Sequence, residues 1–172
     1  MPRVLIVAYG NPLRCDDSIA WRVADALEGK FLEQDVEIIR LHQLAPEIAD
    51  NVRNPELVLF IDAACVDEID SRRPGDIQVR EESIAPSGKH AQAQFTHVYS
   101  PARVLELARE LYQANPKAFV ITVAGEDFGH GDRLSAPVAS ALPELVVRIE
   151  RLVEDSLAKA RTTKASIHPC SG

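Results

Sequence analysis

Val4-Leu5-Ile6-Val7-Ala8-Tyr9-Gly10-Asn11-Pro12-Leu13-Arg14-Cys15-Asp16-Asp17 is the stretch whose reading decides the fold. It opens with an unbroken apolar run, without polar alternation, which suits a strand covered on both faces at the centre of a parallel sheet. Gly10-Asn11-Pro12 then breaks the strand. After the two aspartates, Ile19, Ala20, Val23, Ala24 and Leu27 fall on one face of a helix, with Gly29 placed to end it. A strand, a turn and a helix start thus deliver two adjacent carboxylates to the crevice beyond a strand's carboxyl end, where open α/β sheets hold their ligands.

Outward from that stretch, the same alternation repeats. Val36-Glu37-Ile38-Ile39 is flanked by charge and reads as a shorter strand nearer a sheet edge, and Pro46 to Val52 as a modest helix closed by Asn54-Pro55. Leu57-Val58-Leu59-Phe60-Ile61 is a second buried run, expected to end abruptly on Asp62. Pro74-Gly75 leads to a short strand around Ile77-Gln78-Val79, and residues 80–94 read as a mobile surface segment running into Phe95-Thr96-His97. Ser100 and Pro101 have the chemistry of a helix cap and first turn, with Val104, Leu105, Ala108, Leu111 and Tyr112 expected on the buried face. Ala118–Ala124 is the third strongly apolar strand. A glycine-rich loop over 125–132 precedes a last helix striped by Leu142, Leu145, Val146, Ile149, Leu152 and Val153, with Pro143 expected to kink it or start a fresh turn. Alternating strands and helices predict a three-layer α/β/α sandwich around a mostly parallel sheet. We expect a single α/β domain over residues 1–158 and a polar, disordered tail over 159–172.

Composition narrows the function. The chain has 172 residues, 46% of them hydrophobic, enough for one sizeable core. A formal net charge of -7 argues against a nucleic-acid partner, which would call for a clustered basic surface. Cys15, Cys65 and Cys170 make an odd count without CxxC spacing, so the expectation is a reducing cytoplasm rather than a disulfide framework or a thiolate zinc site. The first apolar run is too short to span a membrane and lacks a signal-peptide cleavage pattern.

Three strand ends carry the chemistry. Of Asp16 and Asp17, one is expected to cap the helix, leaving the other, Asp17, to face the crevice. Asp62 abuts five buried residues, a costly place for a carboxylate unless it meets a cation or a partner. His97, in a loop entering a helix, adds an imidazole, and two acids with one imidazole suit a borderline-to-hard metal with open positions. Cys15 is a rival ligand near a helix N-terminus. His130 with Glu126 and Asp127 offers a second cluster, read here as a solvated turn. His42 follows a strand and has access to the same cleft, whereas His90, His168 and Cys170 carry no spacing signal. A dinucleotide site is disfavoured, because G-x-G-x-x-G is absent and the two aspartates would repel a pyrophosphate.

Together, Gly10-Asn11-Pro12-Leu13-Arg14-Cys15-Asp16-Asp17, Asp62-Ala63 and His97 resemble the nickel-iron hydrogenase maturation endopeptidases, whose opening signature is a strand followed by G-N-x-L-x-x-D-[DE]. The resemblance in element order runs to the last helix. It implies a five-stranded twisted sheet, parallel in all or all but one strand, and a catalytic, metal-binding trio of Asp17, Asp62 and His97. It implies as substrate the hydrogenase large-subunit precursor, from which a C-terminal extension is removed after nickel insertion. The nickel comes with the precursor, so no permanent organic cofactor is expected, and the enzyme is expected to act as a monomer. Two departures stand out: Ser18 and Ala20 replace glycines common in the family, and Leu41-His42-Gln43-Leu44-Ala45-Pro46 replaces a glycine-rich D-G-G-T segment. The second is similar to proteases serving bidirectional, NAD(P)-linked hydrogenases. A nickel-sensing chaperone without proteolysis and a metal-dependent small-molecule hydrolase are the competing readings.

Overall fold

The computed structural model describes residues 1–65, 71–83 and 99–165, with side chains to residue 159. His90, His97, His168, Cys170 and most of the expected mobile segment lie outside the described residues. Among the described residues ten elements follow one another: β1 (Val4–Tyr9), a 3-10 turn (Cys15–Ser18), α1 (Ile19–Leu27), β2 (Val36–Leu41), α2 (Ile48–Asn51), β3 (Leu57–Cys65), β4 (Ile77–Glu82), α3 (Pro101–Tyr112), β5 (Lys117–Gly125) and α4 (Ala136–Ala165). The strands form one sheet in the order β2-β1-β3-β5-β4, parallel except for β4, which runs antiparallel to β5.

The unbroken apolar runs have a simple cause. Val4, Ile6 and Ala8 join α1 and α4 in one core, together with Leu57, Leu59, Ile61, Ile121 and Val123. Leu5 and Val7 join α2 and α3 in the other, with Val58, Phe60, Ala118 and Val120. Helices therefore cover both faces of β1, β3 and β5, giving the expected three layers. Each fully buried Leu, Ile or Phe contributes on the order of 1.5–3 kcal/mol. No helix among the described residues is long and apolar enough to cross a membrane.

Two expectations are corrected. β3 does not stop at Asp62 but continues to Cys65, because β1 ends at Tyr9 while β5 goes on pairing with β3 as far as Cys65 opposite Gly125. Leu111 and Tyr112 are 60% and 41% exposed. Their helix packs against α2, a single turn too short to cover them, and the Arg53 guanidinium lies 5.3 Å from the Tyr112 ring instead. Helix α4 contains Pro143. The helix runs from Ala136 to Ala165.

Candidate functional site

Where β1 stops, Gly10 turns the chain with φ 138°, a backbone conformation that favours glycine. Space requires it as well, since a Cβ at this position would lie 2.2 Å from the Asp17 carbonyl oxygen. The turn folds back so closely that the Asn11 amide donates to Asp17 Oδ2 at 2.9 Å. The Leu13 amide donates to Asn11 Oδ1 at 2.9 Å, and Trp21 Nε1 donates to the Gly10 carbonyl at 2.9 Å. Asp17 is held in a half-buried position at the strand end.

Asp62 reaches the same place from β3, opposite Thr122 of β5. Burial first, then the charge of Asp17, push its carboxyl up to about 7, against hydrogen bonds from the Ala63 amide and the Tyr9 phenol. Burial and the neighbouring Asp62 in turn raise the Tyr9 phenol, keeping it a proton donor. Two half-buried acids that repel each other form a site that gains from a proton or a cation.

Asp16 has the opposite surroundings. It is fully buried, and its Oδ2 accepts from the amides of Glu126 and Asp127 at 2.8 and 2.9 Å, while Oδ1 accepts from Ser135 at 2.7 Å. Burial would raise its carboxyl, but these amides hold it below the ordinary range. The side chain makes no cap to its own helix. It ties the loop after β5 and the start of α4 to the β1 turn, so the expected capping role goes to a distant segment.

Of the three acids and bases expected to converge, Asp17 and Asp62 are brought together, and His97 lies outside the described residues. Among the described residues, no three His, Cys, Asp or Glu side chains form a metal-binding group. Glu126, Asp127 and His130 are exposed, and Asp127 Oδ1 accepts from the Gly129 amide at 2.8 Å, which is the turn expected of them. Cys15, the rival ligand near the helix N-terminus, is not favoured as a thiolate there. Burial, a hydrogen bond to Asp127 and the charges of Asp127, Asp16 and Asp132 all push this thiol up. His42 is exposed at the end of β2, its ring 5.6 Å from that of Trp21, so it does stand on the rim of the β1 turn. Sequence reasoning missed Tyr9 as a partner of Asp62. The signal was available in a phenol closing an apolar strand just before the glycine turn.

No protein-family model and no curated protein sequence matches the chain. Among solved structures it is similar to the hydrogenase maturating endopeptidase HybD from E. coli, with a TM-score of 0.71 and 23% identity over 90% of this chain and 93% of that one. It is also similar to the [NiFe] hydrogenase maturation protease HycI from Thermococcus kodakarensis KOD1, at TM-score 0.66 and 21% identity over 88% and 92% of the two chains. The HybD protease of Thermococcus kodakarensis superposes with a TM-score of 0.63 at 21% identity, over 88% of this chain and 99% of that one. At these identities the likeness establishes the fold.

Proposed function

We propose that this chain is an endopeptidase that removes the C-terminal extension of a nickel-iron hydrogenase large-subunit precursor. The observation that carries the reading is the Asp17–Asp62 pair at the end of β1, where burial and then the charge of Asp17 raise the Asp62 carboxyl. The opening G-N-x-L-x-x-D-D motif builds one half of that pair. The fold shared with proteins named as hydrogenase maturation proteases supports it.

In this reading nickel arrives as part of the substrate, and Asp17, Asp62 and His97 are the residues that hold it. The donor set fits a divalent cation, because two repelling carboxylates with few N–H donors lose their mutual repulsion around one. A metal at such a place polarises a carbonyl or acidifies a water. The chain's own contribution is positional. The Gly10 turn and the Asn11 amide fix Asp17, and the Tyr9 phenol orients Asp62. Before the precursor binds, burial and the charge of Asp17 hold the Asp62 carboxyl up to about 7, and a cation shared with Asp17 would favour its ionised, ligating form. Leu41–Pro46, with His42 on the rim, supports the finer reading that the partner belongs to the bidirectional, NAD(P)-linked hydrogenases. We read the protein as a cytoplasmic monomer with residues 1–158 as its peptidase domain.

The test is the mass of the large-subunit precursor before and after exposure to this protein. Shortening of the nickel-loaded precursor, and none of the nickel-free one, is the expected result. A nickel-loaded precursor that stays bound and full-length would replace the peptidase with a chaperone, and turnover of small molecules without a protein partner would replace both.

A further inference from the structure

Trp21 is the single tryptophan of the chain, half-buried in the first turn of α1. Helical side chains lean toward the helix N-terminus, and this indole reaches back past the 3-10 turn to the end of β1. Its Nε1–H donates to the Gly10 carbonyl at 2.9 Å. The nitrogen of that same peptide group belongs to Asn11, whose N–H donates to Asp17 Oδ2 at 2.9 Å. The peptide is trans, so its C=O and N–H lie on opposite sides of one plane. A rigid plate is thus gripped by the indole at one edge and by the carboxylate at the other. Glycine sets little steric limit on how the plate turns, while Pro12 confines Asn11 to extended backbone. On the strand side the Gly10 amide donates to the Leu41 carbonyl of β2 at 3.1 Å. The tilt of the plate is therefore left to the bonds on its two edges. The His42 ring stands beside the indole, 5.6 Å away and tilted by 57°.

From this arrangement we propose that Trp21 is a positioning residue: through the peptide group shared by Gly10 and Asn11, its indole N–H aims the Asp17 carboxylate. The consequence for cleavage rests on the peptidase reading, whereas the hold on Asp17 stands apart from it. A hydrogen bond accepted by a peptide oxygen polarises the amide and strengthens its N–H as a donor, and the bond that N–H makes to Asp17 is charge-assisted. Losing the indole donor therefore weakens the far bond as well as freeing the plate to turn. Asp16 is the internal control. Its carboxylate accepts from the amides of Glu126, Asp127 and Ser135, in another part of the chain. A tryptophan that merely satisfies its own N–H would, when altered, loosen both aspartates alike or neither.

The experiment removes the N–H and keeps the ring. Trp21→Phe is the genetic variant, and 3-benzothienylalanine at position 21, with sulfur where indole carries N–H, is the isosteric one. Amide hydrogen exchange, followed by NMR on the full chain without precursor, is expected to speed up about tenfold at Asn11 and to stay within about twofold at Glu126, Asp127 and Ser135. Cleavage of the nickel-loaded precursor should lose about tenfold in kcat with KM within about twofold, because a small misplacement slows the reacting step more than it weakens docking. Tryptophan fluorinated at ring position five keeps the N–H and should restore both readouts. Should Trp21→Phe fail to fold by thermal melting, the benzothienyl protein decides. Unchanged exchange at Asn11, equal acceleration at all four amides, or unchanged kcat in a folded variant overturns the proposal while the peptidase reading stands. A parent enzyme that leaves the precursor uncut sinks the peptidase reading itself, and the exchange rates alone then decide whether Trp21 holds Asp17.

Discussion

Adjacent in sequence, Asp16 and Asp17 open into two unlike regions. Asp16 sits in a buried pocket where three backbone amides, from the loop after β5 and the approach to α4, donate to it. Asp17 lies beside Asp62 and, among the described residues, accepts from the Asn11 amide. One carboxylate is spent on holding the molecule together, and its charge is already answered. Among the described residues the other pair meets fewer donors, the Asn11 amide at Asp17 and the Ala63 amide and Tyr9 phenol at Asp62, and its members still repel each other, which is the condition for binding something from outside. Charge alone does not mark a site, since the number of donors around it decides.

Removing Asp16 should break this contrast most violently. Asp16→Ala orphans three amides in a buried place and is expected to cost about 3–5 kcal/mol, read by urea denaturation. A variant within about 1 kcal/mol of the parent would show the amide pocket to be incidental. Asp62→Asn is the reverse experiment. Processing of the precursor should fall by about two orders of magnitude or more while the fold survives, and full activity would remove Asp62 from the chemistry.

The same substitution sharpens the comparison through pH. Because the folded state raises the Asp62 carboxyl to about 7, folding favours its protonated form. That contribution is complete below the unfolded value near 4 and is lost as pH rises through about 7. With chelator present, Asp62→Asn should therefore be the more stable protein at pH 8, by about 2 kcal/mol, and the gain should shrink toward pH 5. Thermal melts at the two pH values give the sign. Asp16, held low, runs the other way: its stabilisation is present above the unfolded value and lost as pH falls through its folded one.

The smallest effect is expected at Cys15. Its thiol is kept protonated beside Asp127, so Cys15→Ala should leave processing unchanged and cost about 1 kcal/mol or less. Loss of cleavage in a folded Cys15→Ala protein would restore the thiol to the site.

The layers were legible in the sequence because Val4–Ala8 and Leu57–Ile61 are apolar at every position and Ala118–Ala124 at all but Thr122, a pattern that suits a sheet covered on both faces. Helix α3 was legible at its start, where Ser100 Oγ accepts from the Arg103 amide at 3.2 Å, since caps are local. Its far end was not. Exposure of Leu111 and Tyr112 depends on how short α2 is, and no residue of α3 records that. The end of β3 was misplaced for the same kind of reason: Asp62 looks like a terminator, but β5 supplies hydrogen bonds beyond it.

By itself the sequence determined the order of strands and helices, the glycine turn and the acids at the strand ends, because each rests on short-range periodicity or on a residue's own backbone preference. Only the tertiary structure decided that Asp16 would spend its charge on amides more than a hundred residues away. It alone set Asp17 against Asp62. Coulomb forces and hydrogen bonds depend on separation in space, and strand register sets that separation without leaving a mark on the local sequence.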